Sequence, residues 1–353
     1  PFTQAAGSTA LQQTYMLSFD DAGNVDNLIQ TLLQSGQVEY AEKVPLDKIC
    51  ITPNDPSFSS QWHLSTINAE GAWNYFSTGS NTVIAIVDDA VSRTHPDLSP
   101  NLWVNPGEIP GNGIDDDNNG YIDDINGYDV ASDDNNPNPP NPSFNHGTHV
   151  AGIAAAATNN NTGVASIGYS CKLMCIKAST SPTLITSGYD GIIYAANSGA
   201  DIINLSWGSS VFSATAQNII NYAISKGCLI VAAAGNDNVN TAFYPAAYNG
   251  VLSVAATSSD DTKASFSNYG NWVDVSAPGD NIYSTLPGGN YGYFSGTSMA
   301  APLVAGLAGL MKSLNPGMPA GDIVNCIQNT AVNINALNPS YSGSLGSGRI
   351  DAA

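Results

Sequence analysis

Val83-Ile84-Ala85-Ile86-Val87-Asp88-Asp89 is a run of five apolar residues closed at once by two carboxylates. A segment so short, with apolar side chains on both of its faces, reads as a strand covered from above and below, as the central strands of parallel sheets are. Comparable runs follow at residues 172–176, 201–205, 228–233 and 251–256, and residues 187–197 and 214–225 between them carry helical spacing. This alternation predicts an α/β fold: a doubly wound, mostly parallel sheet with helices on both faces. In such sheets ligands meet the carboxyl ends of the strands, which places Asp88 at the expected site.

Two further stretches carry chemistry. Gly296-Thr297-Ser298-Met299-Ala300-Ala301-Pro302 leads into an apolar segment that runs to Met311, so a buried helix is expected to begin beside Ser298. Free N–H groups and the helix dipole there favour negative charge, Gly296 leaves room for a substrate, and Pro302 is expected in the first turn, where proline is tolerated. His146-Gly147-Thr148-His149-Val150-Ala151-Gly152 sets a histidine at the mouth of a second helix. No third ligand completes a zinc motif, so His146 is assigned to chemistry and His149 to a buried structural hydrogen bond. Serine is a weak nucleophile until an imidazole takes its proton, and the imidazole needs a carboxylate to fix its tautomer and stabilise its charge. Asp88, His146 and Ser298 supply those parts. Ala232-Ala233-Ala234-Gly235-Asn236 is another apolar run, ending in a Gly-Asn pair that by itself reads as a turn.

The stretches around Asp88, His146 and Ser298, in that order along the chain, resemble the three signatures of the subtilase family of serine endopeptidases (peptidase S8), in its thermitase-like branch. The resemblance covers residues 51–353, through Gly346-Ser347-Gly348-Arg349-Ile350-Asp351-Ala352. It implies a catalytic triad of Asp88, His146 and Ser298, with Asn236 and the Ser298 N–H holding the oxyanion. It also implies that Ser206, Trp207, Gly208, Ala233, Ala234 and Gly235 flank a peptide substrate. One departure stands out: the family usually has Ser or Thr and then Gly after the aspartate, whereas this chain has Asp89-Ala90. A second carboxylate there is expected to raise pKa values in the triad or to bind a cation.

Nine Lys and Arg against 29 Asp and Glu give a net charge of −20 over 353 residues. That balance argues against nucleic acid and anionic membranes as partners, and no stretch has the apolar length to span a bilayer. It suits an extracellular protein whose carboxylates are partly neutralised by cations, and equally one whose acidity only maintains solubility. The first residues lack the features of a signal peptide, so any such peptide is expected upstream. Five cysteines, Cys50, Cys171, Cys175, Cys228 and Cys326, leave at least one unpaired within the chain, and a disulfide involving Cys171 or Cys50 is open. Cys175 and Cys228 lie in strand-like runs and read as small hydrophobes.

Near the N-terminus, residues 14–19 and 38–44 read as strands on either side of a helix marked by Val25, Leu28, Ile29, Leu32 and Leu33, which stops at Gly36. This β-α-β unit is too small for its own core and resembles the second half of the inhibitory prodomain (inhibitor I9 type) of secreted subtilases, whose first half is absent. Ile51-Thr52-Pro53-Asn54-Asp55-Pro56 marks a boundary. The expected division is a partial prodomain and processing linker over 1–50 and a catalytic domain over 51–353, with an acidic insertion at about 105–130. The scissile bond of processing is expected between residues 48 and 51.

That insertion contains Asp115, Asp117, Asn119, Tyr121 and Asp123 at steps of two, with Gly120 for a sharp turn, an oxygen-rich pattern suited to calcium although it is no complete EF-hand. The resemblance adds a second calcium site from Asp55, Asp97 and Asn160 with carbonyls of Thr158, Thr162 and Val164. The whole reads as a secreted, monomeric, calcium-stabilised serine endopeptidase acting on proteins or peptides, with its own prodomain as a partner. An esterase using the same triad is disfavoured by the lack of a Gly-x-Ser-x-Gly elbow. The non-enzyme alternative is a degenerate subtilase that binds peptides or serves a structural role.

Overall fold

The computed structural model describes residues 13–17, 24–43, 52–75 and 80–353, and the chain divides into two units, Pro1–Ile49 and Cys50–Ala353. In the first, helix α1 (Val25–Gln34) forms where its apolar spacing predicts, with none of its residues buried. The flanking strands do not form among the described residues: 14–17 and 38–43 carry no ladder, and Ser18, Phe19 and Val44 lie outside the description. Two strands without a third are marginal in water, and Val38 and Tyr40 stay exposed, so among the described residues no apolar packing supports the pairing.

In the second unit seven strands form one parallel sheet in the order β2-β3-β1-β4-β5-β6-β7. They are β1 (Val83–Asp88), β2 (Gly127–Asp129), β3 (Lys172–Lys177), β4 (Ile202–Leu205), β5 (Leu229–Ala233), β6 (Val251–Thr257) and β7 (Val275–Pro278). Every residue of β1 is buried. Ile84 and Ile86 join one apolar cluster with Val150, Leu303 and Val304, whereas Val83, Ala85 and Val87 join another with Ile192 and Ile220. Alternate side chains of a strand point to opposite faces, so these clusters are the two faces of the sheet. Short helices α2 (Trp62–Thr66) and α3 (Ala69–Trp73) precede β1. Helix α4 (His146–Ala155) and helix α7 (Thr297–Leu314) cover the first face, and α5 (Gly188–Asn197) and α6 (Ala214–Ser225) the second. An antiparallel hairpin, β8 (Ile282–Leu286) with β9 (Asn290–Phe294), precedes α7, and α8 (Ala320–Thr330) follows it.

Chain order reverses at β1, which pairs with β3 on one side and β4 on the other, and Asp88 ends the strand at that crevice. Strand β2, strand β7 and the hairpin have no counterpart in the sequence reading; β2 is only Gly-Tyr-Asp, too short to show a period. Pro302 is the sixth residue of α7, one turn later than expected. Helix α7 is the one helix among the described residues with the length and apolarity to cross a membrane, and 72% of it is buried inside the protein. Cys171, Cys175, Cys228 and Cys326 are free thiols, the first three buried, which removes the disulfide open to Cys171; Cys50 lies outside the described residues.

Candidate active site

His146 opens α4, and its Nδ1 meets Asp88 Oδ1 at 2.7 Å. Gly147 makes that approach possible: a Cβ there would stand 2.5 Å from the Ala90 carbonyl oxygen and 2.7 Å from Asp88 Cβ. Asp88 is buried, and the His146 side chain is 31% exposed. Burial alone would lower the pKa of the imidazole, but the Asp88 charge and hydrogen bond, with the charge of Asp89, outweigh it and raise the group to about 9. Asp89 is buried as well. Its Oδ1 accepts the N–H groups of Ala90 and Gly147, both at 2.7 Å, and its Oδ2 accepts that of His146 at 3.2 Å. It therefore caps α4 from the end of β1, where Asn145 makes no side-chain cap of its own. Desolvation first, then the charge of Asp88, push the Asp89 carboxyl up to about 7.

Ser298 is the second residue of α7. Asn236 Oδ1 accepts from the N–H of Thr297 at 2.8 Å and from its hydroxyl at 3.0 Å, which turns the amide so that Nδ2 remains free as a donor. The point that a Cβ on Gly296 would occupy lies 3.4 Å from Asn236 Nδ2 and 3.5 Å from Ser298 N, so the two nitrogens stand near one another beside Gly296. The Ser298 hydroxyl donates to the Ser206 carbonyl at 3.1 Å, and no hydrogen bond joins it to His146 in this conformation. In the other direction, the Ser206 hydroxyl donates to the Ser298 carbonyl at 2.9 Å. That carbonyl would ordinarily bond the N–H four residues on, which Pro302 lacks, so Ser206 replaces a missing helical bond.

Two cavities open beside these groups. One, of about 540 Å³, runs from Asp88, Asp89 and His146 past Leu184, Tyr189 and Trp207. The other, of about 230 Å³, is bounded by Ser206, Ala233, Gly235, Asn236, Phe243 and Ser298. Ser206, Trp207 and Gly208 line both, and Trp207 Nε1 donates to the Val87 carbonyl at 2.8 Å. Ala234 lies apart from them: it is fully buried, and its backbone bonds Val254 and Asn268 rather than facing either cavity. His149 makes the expected buried bond, from Nε2 to the Gly292 carbonyl at 3.1 Å.

In the acidic loop the carboxylate oxygens of Glu108, Asp115 and Asp117 lie within 4.8 Å of one another, a cluster that could hold a metal ion. Asn119 lies among them, its N–H on Asp115 and Asp117, and its Oδ1 accepts the Tyr121 N–H. Asp123 is drawn elsewhere, because the N–H groups of Gly111, Asn112 and Gly113 occupy its carboxylate. Glu108 is absent from the sequence reading since it precedes the periodic run; no local signal marks it. At the second location Asp55 and Asp97 are both buried, and Asn160 bridges them, its N–H on Asp55 at 3.5 Å and its Nδ2 on Asp97 at 2.9 Å. The Thr162 N–H reaches Asn160 Oδ1, the Val164 N–H reaches Asp97, and Thr158 lies buried at the start of the same loop. Buried carboxylates without a paired cationic side chain suit a hard cation with oxygen ligands.

Comparison with known proteins gives the same picture. The chain is 43% identical over 295 residues to the thermophilic serine proteinase of Bacillus sp. (strain AK1), spanning 82% of this chain and 67% of that protein. It is 41% identical over 304 residues to thermitase of Thermoactinomyces vulgaris, spanning 85% of this chain and 98% of that one. Among solved structures, a protease from Pseudoalteromonas arctica PAMC 21717 superposes with a TM-score of 0.71 at 34% identity, over 86% of this chain and 98% of the other. The Subtilase family pattern, Peptidase_S8, matches residues 79–348. With its seven-stranded parallel sheet and its serine at the head of a buried helix, the chain belongs to the subtilase family of serine proteases.

Proposed function

We propose that the protein is a secreted, calcium-stabilised endopeptidase that cuts peptide bonds through Asp88, His146 and Ser298. The observation that carries this reading is the bond from His146 to Asp88 at 2.7 Å, together with the two free donors that converge beside Ser298. The peptide lies along the Ser206–Gly208 edge, pairing by backbone bonds as an added strand, while Ala233 and Gly235 wall the cavity beside it. Ser298 Oγ attacks the carbonyl carbon while His146 Nε2 takes its proton, and Asp88 fixes the tautomer and stabilises the imidazolium. Charge developing on the carbonyl oxygen meets Asn236 Nδ2 and the Ser298 N–H, a contribution of about 3–4 kcal/mol per side-chain donor because it arises only in the transition state. His146 then protonates the leaving amine, and water, deprotonated by the same ring, releases the acyl group.

The bond from Ser298 to Ser206 favours a second reading, a degenerate subtilase that binds peptides without cutting them; catalytic hydrogen bonds are, however, often formed only once substrate is bound. A serine-directed phosphonate separates the two. Stoichiometric mass addition that is absent in Ser298→Ala supports the triad, and an unlabelled wild-type chain refutes it. Hydrolysis of esters without peptides would turn the reading toward an esterase.

Calcium is proposed at the cluster of Glu108, Asp115 and Asp117 and at the loop around Asp97, where it would bind the folded chain only and so raise stability. Chelation is expected to lower Tm, and Asp97→Asn to remove part of that calcium dependence; an unchanged Tm on chelation refutes the role. The unit Pro1–Ile49 is proposed as a partial prodomain, and the bond expected to be processed, between 48 and 51, lies outside the described residues. Intact mass after incubation with calcium should show cleavage there in the wild-type chain and not in Ser298→Ala.

A further inference from the structure

Asn268 is fully buried and lines neither cavity, yet it holds the backbone on both sides of Asn236. Its Oδ1 accepts the N–H groups of Asp237 at 3.0 Å and Val239 at 3.1 Å. Its Nδ2 donates to the Ala234 carbonyl and its own N–H to the Gly235 carbonyl, each at 2.9 Å. One residue thus grips two main-chain groups before Asn236 and two after it. The approach depends on Gly235, which has φ of +99° and where a Cβ would stand 2.4 Å from Asn268 Nδ2. Neighbouring bonds extend the grip: Asn238 N–H to the Phe266 carbonyl at 2.8 Å, Tyr269 N–H to the Val239 carbonyl at 3.1 Å, and Lys263 Nζ to Asn238 Oδ1 at 2.8 Å. Residues 264–269 therefore form a template on which residues 234–239 are moulded.

We propose that Asn268 is a positioning residue for the oxyanion site, holding the 234–239 loop where the Asn236 amide meets the Ser298 N–H at one point, and that it acts on the reaction only through Asn236. The inference rests on the assignment of Asn236 as the oxyanion donor. Such a donor serves only if it stands within hydrogen-bond distance of the oxygen as charge develops, and misplacement by about 1 Å can cost about 100-fold. Asn236 has its own side chain fixed by Thr297, so what remains to be set is the path of its backbone, and the four bonds of Asn268 named above act there.

A double-mutant cycle tests this, with kcat and KM for a peptide substrate normalised to sites titrated with the phosphonate. Asn236→Ala is expected to lower kcat by about 100- to 1,000-fold. Asn268→Ala is expected to lower kcat by about 10-fold or more with KM within about twofold, and the double variant to fall no further than Asn236→Ala, as residues acting as one unit do. If Asn268→Ala keeps wild-type kcat per titrated site, or if its loss is the same with and without Asn236, the proposal is overturned while the oxyanion assignment stands. If Asn236→Ala itself leaves kcat unchanged, the assignment falls and the proposal with it. Should Asn268→Ala not fold, Asn268→Asp carries the cycle: it keeps an acceptor for the N–H groups of Asp237 and Val239 and sets an oxygen against the Ala234 carbonyl in place of the donor.

Discussion

At Asp89 one carboxylate accepts the first N–H groups of the helix that bears His146 and adds negative charge near its ring. Asp89→Asn keeps the acceptor oxygen for Ala90 and Gly147 and loses the charge, together with the longer 3.2 Å bond from the His146 N–H. His146 must be neutral to act as a base, and its raised pKa of about 9 predicts that kcat/KM climbs with pH until the alkaline range. Removing the Asp89 charge takes away one cause of that rise, so the acid limb of the profile should move to lower pH. A limb that stays in place would show that the charge does not reach the imidazole. Asp88, His146 and Ser298 were legible in the sequence because each sits in a stretch whose local pattern announces it. The charge of Asp89 was anticipated as well, but its capping of α4 was not, because the N–H groups it accepts lie 57 and 58 residues along the chain and only the fold brings them to it. Asn268 was hidden for the same reason, its side-chain partners lying 29 to 34 residues away, whereas Glu108 was missed because it stands before the periodic acidic run.

Helices and strands were read well where five or more mostly apolar residues follow one another, as in β1, β5 and β6, and poorly where only tertiary contacts hold them, as in three-residue β2. Among the described residues the N-terminal strands are the converse case, a suitable pattern that forms no ladder. Helix α7 shows an exchange between elements: Pro302 deprives the Ser298 carbonyl of its helical donor, and the Ser206 hydroxyl beyond β4 supplies one. Ser206→Ala leaves that half-buried carbonyl unpaired, at a cost of about 1 kcal/mol. Pro302→Ala alone offers a second donor for an acceptor already served. Combined with Ser206→Ala it should recover part of the lost stability, since Asn204 Nδ2 still lacks the partner that Ser206 gave it. Thermal melts of the four proteins measure the exchange, and a double variant no more stable than Ser206→Ala would refute it.

Over the whole molecule, acid should act through histidines as well as carboxylates. Burial, and then the charge of His149, lower the pKa of His63 to about 3, and burial chiefly lowers that of His149 to about 4. Both pKa values lie below the usual 6.5, so stability is fully present above that pH and is lost as pH falls toward them, at about 1.4 kcal/mol per unit for each residue. His63→Leu should flatten the fall between pH 6 and pH 4, which chemical denaturation at each pH would reveal; an unchanged slope would count against it. The charge balance acts at the same scale. Of the nine basic side chains, Lys177, Lys263 and Arg349 are buried. Lys177 is bound to Asp129 and Lys263 to neutral oxygens of the interior. The surface that remains carries nearly one sign, and two molecules approach each other against a repulsion reaching about 10 Å at 0.1 M salt. For a purified protease the commonest protein within reach is another copy of itself, so this repulsion bears on self-digestion. Loss of activity should be second order in protein and should quicken as salt shortens the range of the repulsion; rates that ignore salt would refute it. The acidity proposed to gather cations in two loops is thereby also expected to keep each molecule away from the next, and to lengthen the time for which both survive.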